Sequence, residues 1–186
     1  MKKLYFLFVF LITNVFFCCS PDVVTVQVIR NPSIKFNLNG ASWKSDKYSF
    51  AAPSMVVVYP DDPTQSAKQY TRMVLQASGS DDKNNNLQLI ISFDVADANQ
   101  LVGTYTPAHN LQRGLAQVQL FNVSNSNNLE AHELCDDNTV TSSFQIQKQS
   151  STERLITGIF QITLCNIRDT TQKITLTNGI LTDIRY

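Results

Sequence analysis

Apolar residues recur along this chain with a period of two, and that constrains its fold more than any other feature. Leu87, Leu89, Ile91 and Phe93 fall on one side of a single extended segment, and strand-like runs follow at Leu115 to Val123 and Leu155 to Cys165. A period of two puts apolar groups on one face of a strand, whereas a helix needs them at 3.6. No segment of the mature chain keeps a helical period for more than one or two turns; Asp94 to Gln100 offers one turn at most. Strands are therefore the default element.

Turn chemistry divides these strands. Ile34 to Leu38, Asn39-Gly40 and Ala41 to Ser45 read as a hairpin with a two-residue loop, because Asn-Gly tolerates the two positive φ angles of a type I′ turn. That register sets Leu38 opposite Ala41 and Phe36 opposite Trp43, a cross-strand aromatic pair that adds about 0.5–1 kcal/mol. Trp43, the only tryptophan, reads as core. Before the hairpin, Val23 to Ile29 reads as a strand ended by Asn31-Pro32. After it come strands at Tyr48 to Ala52, Met55 to Tyr59, Tyr70 to Ser78, Leu87 to Phe93 and Val102 to Thr106. The tail reads Ser142 to Lys148, Lys173 to Asn178 and Ile180 to Tyr186, besides the two runs already named. Gly79 to Asn86 (GSDDKNNN) and Ser124 to Asn128 read as solvated loops.

About ten strands separated by turn signals specify an all-β fold, a single antiparallel β-sandwich or a small β-barrel, with no second domain. Pattern alone leaves sandwich and barrel both open. A transmembrane barrel would need longer lipid-facing strands than Lys173 to Asn178, although Ile180, Ile184 and Tyr186 do alternate near the end.

The first twenty residues carry a different message. Lys2 and Lys3 precede an apolar run from Leu4 to Ile12, followed by Val15-Phe16-Phe17-Cys18-Cys19-Ser20. A charged start, a short apolar centre and a small residue before the cut define an export signal, and the centre is shorter than the roughly 20 residues that span a bilayer. Residues 1–18 are expected to be removed, with 19–22 a tether and 23–186 one β domain. Cleavage directly before a cysteine is the mark of a bacterial lipoprotein. Cys19 is the expected lipidation site and Cys18 the alternative, since Cys18 is a small residue before the cut at Cys19, whereas Phe17 fits poorly before Cys18. Each buried methylene contributes about 0.8 kcal/mol, so two or three acyl chains hold a protein at a membrane where one does not.

Gly40-Ala41-Ser42-Trp43, Ile156-Thr157-Gly158-Ile159-Phe160 and the closing Ile174 to Leu181 run resemble the small lipoproteins abundant in Bacteroidetes. Those proteins share a G-x-x-W segment near the mature N-terminus and an I-T-x-G-x-F strand near the C-terminus; Leu181 stands where an aromatic is usual. The resemblance spans the chain from Phe36 onward. It implies a lipid-anchored, extracytoplasmic β domain and supplies no catalytic residues. It also implies O-glycosylation at Thr170, because Asp169-Thr170-Thr171 matches the exported-protein pattern in such bacteria. The Asn122-Val123-Ser124 sequon would count only in a eukaryotic host.

Cys135 and Cys165 lie outside the signal, in a compartment where thiols oxidise, and are expected to form a disulfide. Closing a loop of about thirty residues stabilises a fold by about 3–4 kcal/mol in the chain-entropy picture. The only dense polar cluster is His132-Glu133-Leu134-Cys135-Asp136-Asp137, which lacks a second His/Cys pair for zinc; Asp61-Asp62 and Asp81-Asp82 lack EF-hand spacing and read as solvated turns. No metal site and no cofactor are expected.

Function is constrained mainly by exclusion. The chain has no Gly-x-Ser-x-Gly elbow, no His-Glu-x-x-His and no phosphate-cradling glycine loop, and its only histidines are His109 and His132. Glu130, Glu133 and Asp94 are carboxylates that a glycosidase would have to pair across a cleft. With fifteen basic and fifteen acidic residues, and Lys2 and Lys3 lost with the signal, the mature chain is near neutral, which removes the electrostatic case for nucleic acid. Neutral side chains such as Gln117, Gln119, Gln145 and Gln147 occupy outward positions. The expectation is an outer-membrane or surface lipoprotein, held to the membrane by its lipid, with a non-catalytic β domain that binds a glycan or another envelope protein. A structural envelope protein, a lipocalin-like carrier and a hydrolase are the alternatives.

Overall fold

The computed structural model describes residues 30–51, 56–59, 68–107, 114–124, 130–135 and 141–186. The leader with Cys18 and Cys19, the tether, the expected Val23 to Ile29 strand, Asp61-Asp62, His109 and Asp136-Asp137 lie outside them. The described residues of the unit Asn31–Tyr186 form eleven strands: β1 (Ser33–Leu38), β2 (Ala41–Ala51), β3 (Val56–Tyr59), β4 (Lys68–Asp81), β5 (Asn86–Val95), β6 (Gly103–Tyr105), β7 (Leu115–Asn122), β8 (Glu130–Leu134), β9 (Ser143–Ser150), β10 (Leu155–Asn166) and β11 (Lys173–Arg185).

The fold is a small barrel, not a sandwich. The order β11-β1-β2-β4-β5-β7-β8-β10 closes on itself through the β10–β11 pair, all neighbours antiparallel. Between β7 and β10 the wall is made twice over. The C-terminal part of β10 pairs β8, while its N-terminal part pairs β9, which in turn pairs β6. Pro107 then bridges to Leu115 at the start of β7. β3 adds a short strand to the first residues of β4.

The Asn-Gly hairpin forms as its sequence demands. Asn39 and Gly40 take φ of +49° and +80°, Phe36 faces Trp43 and Leu38 faces Ala41. The two rings stack with centroids 4.6 Å apart, and Trp43 is fully buried. Its indole N–H has no hydrogen-bond partner among the described residues, so the ring is held there by stacking and burial alone.

An eight-stranded barrel is just wide enough for side chains to fill. Here the filling is aromatic. From Trp43 and Phe36 the contacts run to Phe160 (6.1 Å), Phe144 (6.4 Å from Phe160), Phe93 (5.0 Å) and Tyr105 (4.5 Å), with Phe50 joining Phe93 to Tyr186 at the far end. Ile34, Leu75, Leu89, Ile91, Ile156, Ile162 and Leu181 pack around this column. Outward positions carry Lys35, Ser42, Lys44, Asp46, Gln117, Glu133 and Gln161. Apolar inside and polar outside is the reverse of a membrane-spanning barrel, whose outward band faces lipid.

Three expectations change. The expected Tyr48 to Ala52 strand is not separate: Tyr48 to Ala51 is the second half of β2, past a bulge at Asp46, and Ala52 lies outside the described residues. Lys173 to Asn178 and Ile180 to Tyr186 are one strand, β11, whose inward residues are Ile174, Leu176, Gly179, Leu181 and Ile184. Asn178 (φ +52°) and Asp183 (φ +49°) are the extra residues that shift the alternation twice. Asp94 to Gln100 forms no helix; Asp94 ends β5's outward face, and a turn follows with Gln100 N–H donating to Asp97 O.

Candidate functional site

The two ends of the barrel differ. The far end, where β1 begins and β11 finishes, is plugged. Leu101 is fully buried there, Tyr105 Oη donates to Leu101 O (2.7 Å), and Gln149 links Leu101 N–H to Tyr186 Oη. Arg154 stacks its guanidinium 5.7 Å from the Tyr186 ring centroid. Among the described residues the hairpin end is open. Between the Asn39-Gly40 turn, the β4–β5 turn, the end of β7 and β8 lies a cup of about 190 Å³.

The floor of the cup is aliphatic, made by Leu38, Ala41, Leu87, Leu120 and Ile174. Its wall is polar: Asn39, Asp81, Lys83, Asn85, Asn122, Glu130 and His132. Asn39, Asp81, Lys83, Asn85 and Asn122 come from turns or strand ends, and Glu130 and His132 from the first half of β8, where the inward face passes from core to water.

Asp81 organises one side. Its Oδ1 accepts the N–H groups of Lys83 (2.9 Å) and Asn85 (2.8 Å), and its Oδ2 accepts Asn85 Nδ2 (2.9 Å). The loop of Asp82, Lys83 and Asn84 is a three-residue hairpin turn with Asn84 in the left-handed region at φ +62°. Desolvation works against the Asp81 carboxylate, but the Asn85 side chain, the two N–H groups and the Lys83 charge outweigh it and hold its pKa below the ordinary carboxylate value. Asp81 is thus a buried turn organiser, not the solvated turn residue expected of it; Asp82 beside it is exposed.

β8 supplies the opposite side. Asn122 faces Glu130 and Leu120 faces His132 across the β7–β8 pair, so both β8 side chains point to the cup. His132 is buried, which pulls its pKa below the ordinary imidazole value against the opposing pull of Glu130, whose Oε1 lies 3.8 Å from Nε2. At neutral pH the imidazole is uncharged. Asn122 Oδ1 accepts the Ser124 N–H (3.1 Å), and Ser124 Oγ accepts the Asn86 N–H (2.6 Å), which stitches β7 to the β4–β5 hairpin at the rim.

The residues singled out in sequence are dispersed by the fold. Glu130 and His132 meet at the cup, whereas Glu133 lies on the outer face of β8, opposite Gln119 and Cys165. Asp94 sits on the outer wall in a bidentate pair with Arg72, at 2.9 and 3.0 Å. Cys135 and Cys165 form the disulfide, tying the residue after β8 to β10. Among the described residues no three His, Cys, Asp or Glu side chains converge as a metal cage would require. Thr170 is exposed in the β10–β11 turn, where Asp169 Oδ1 accepts the Thr171 N–H (3.1 Å) and hydroxyl (2.6 Å). Asn39, Lys83, Asn85 and Asn122 were not legible as site residues. Their signal in sequence was their place beside turns, with Asn122 also heading the Asn122-Val123-Ser124 sequon. No family model, no curated protein and no solved structure matches this chain.

Proposed function

We propose that this chain is an exported lipoprotein, anchored through Cys19, whose barrel is a non-catalytic binding domain with its site at the hairpin-end cup. The observation that carries the reading is the contrast between the ends. One is plugged by Leu101, Tyr105 and Tyr186, and the other opens into a cup with an aliphatic floor and a polar wall. Small-molecule sites combine apolar surface with placed polar groups; in this cup the polar groups are the larger share, seven of the twelve lining residues. Kinship with the Bacteroidetes lipoproteins and a glycan on Thr170 belong to the same proposal.

The near-neutral charge and the outward Gln117, Gln119, Gln145 and Gln147 favour a neutral partner, a glycan or an envelope protein, over nucleic acid.

The closed barrel also favours a second reading, a lipocalin-like carrier. Because the aromatic column occupies the interior, such a ligand would sit in the mouth.

Expression with a labelled fatty acid, followed by envelope fractionation, tests the anchor. Label lost in Cys19→Ala and kept in Cys18→Ala supports it; label kept in both contradicts it. A glycan array on the unlipidated domain tests the binding half.

A further inference from the structure

We propose that the occupant of the cup is a single neutral sugar ring, the terminal residue of a glycan, bound through paired amides and not through charge. The inference rests on the reading of the barrel as a binding domain and names its ligand class.

Size limits the ligand first. A cavity of roughly 150 Å³ holds one benzene molecule, and drug-sized ligands take roughly 300 Å³ or more. At about 190 Å³ the cup has room for one substituted six-membered ring.

Chemistry limits it next. A sugar hydroxyl both donates and accepts, and an amide is the side chain that can answer both. Two of the cup amides are already fixed in orientation. Asn85 gives its NH₂ group to Asp81 Oδ2 (2.9 Å), and Asn122 gives its oxygen to the Ser124 N–H (3.1 Å). Among the described residues these bonds leave a carbonyl oxygen on Asn85 and an NH₂ group on Asn122. One acceptor and one donor, held at the adjacent ends of β5 and β7 on the rim of the same cup, suit two hydroxyls of one ring. Orientation set before binding lowers the entropy cost of making those bonds.

Charge gives no competing preference. Lys83 lies beside Asp81, whose carboxylate is already engaged by three hydrogen bonds. His132 is neutral at pH 7, and Glu130 at the exposed rim is left as an acceptor. An anionic ligand would meet Glu130 unfavourably. The aliphatic floor of Leu87, Leu120 and Ile174 offers a surface for the C–H face of a ring.

The test is a titration of the full mature chain, followed by ¹H–¹⁵N NMR, with glucose, galactose, mannose and N-acetylglucosamine. Glucuronate, glucosamine and phenol serve as anionic, cationic and apolar rings of similar size. At least one neutral sugar is expected to shift the side-chain amides of Asn85 and Asn122 and to bind more tightly than all three controls. Asn122→Ala should weaken that binding about tenfold, the loss of one or two hydrogen bonds. Glu130→Ala, at an exposed position, removes that acceptor and should also weaken it. The inference is overturned if a charged or apolar ring binds best, if both variants bind as the wild type does, or if no sugar moves a cup resonance. Hydrolysis of an aryl glycoside by the same protein would support the ring assignment while overturning the non-catalytic reading, so the two fail separately.

Discussion

The ring of Phe160 lies directly on the backbone of Gly179, so closely that a Cβ at residue 179 would sit 2.4–2.6 Å from three ring carbons. The two face each other across the β10–β11 pair that closes the barrel, and the same ring contacts Phe36 and Phe144. Gly179→Ala therefore has to displace an aromatic at the centre of the core. Overpacking of this kind costs about 1–3 kcal/mol, or about 2–4 °C in melting temperature for each kcal/mol at this size. Combined with Phe160→Leu, which removes the clash, the alanine should cost much less than it does alone. Thermal melts of the two single variants and the double variant check this; strict additivity would contradict it.

The disulfide holds the short wall of the cup. β8 has five residues, three of them paired with β10 and four with β7, and Cys135 to Cys165 fastens its C-terminal end. Replacing both cysteines by Ser should lower stability by about 2–4 kcal/mol. It should also speed amide exchange in residues 131–134 more than in β4 or β5, because the freed end opens locally before the barrel does. Uniform acceleration across all strands would show that the bond acts only on global stability.

His132 gives a pH signature. Burial lowers its pKa, so the folded state prefers the neutral ring. Its contribution to stability is full above the unfolded value of about 6.5 and is lost as pH falls through the lower folded value. Glu130 pulls the other way, so Glu130→Gln should move the His132 titration to still lower pH. An NMR titration of the imidazole measures both; a rise in the variant would contradict the assignment.

Asp81 should govern the acid side of the stability curve at the cup. Its carboxyl is held below the ordinary range, so the stabilisation is present above about pH 3.9 and is lost as pH falls through the folded value. Asp81→Asn sets an NH₂ group against a donor it now accepts and should cost about 1–2 kcal/mol. It should also flatten the acid limb of the curve. Denaturant melts at neutral and acid pH check both effects.

Local chemistry was legible in the sequence, and closure was not. The Asn39-Gly40 turn, the Phe36–Trp43 pairing and the inward Leu87, Leu89, Ile91 and Phe93 follow from turn residues and a period of two. β8 was missed because two of its three inward positions, Glu130 and His132, line the mouth and leave Leu134 alone to mark the inward face, so the strand carries no apolar alternation. β2 and β11 each read as two strands because Asp46, Asn178 and Asp183 insert an extra residue and invert the pattern midway. Barrel and sandwich differ by pairings such as Ile34 with Leu181, which no local pattern encodes. The cup was illegible for a related reason. Asn39, Asn85 and Asn122 are far apart in the chain, and as asparagines in or beside turns they resemble other loop residues.

Hydrogen exchange on the full mature protein, with and without the glycan that binds best on an array, tests the site assignment most directly. Binding at the cup should slow exchange in residues 81–87, 119–124 and 130–134, leaving the plugged end around Leu101 and Tyr186 unchanged. Slowing confined to the outer face of β10 and β11, around the exposed Ile159 and Ile180, would contradict the assignment, as would an array on which no glycan binds.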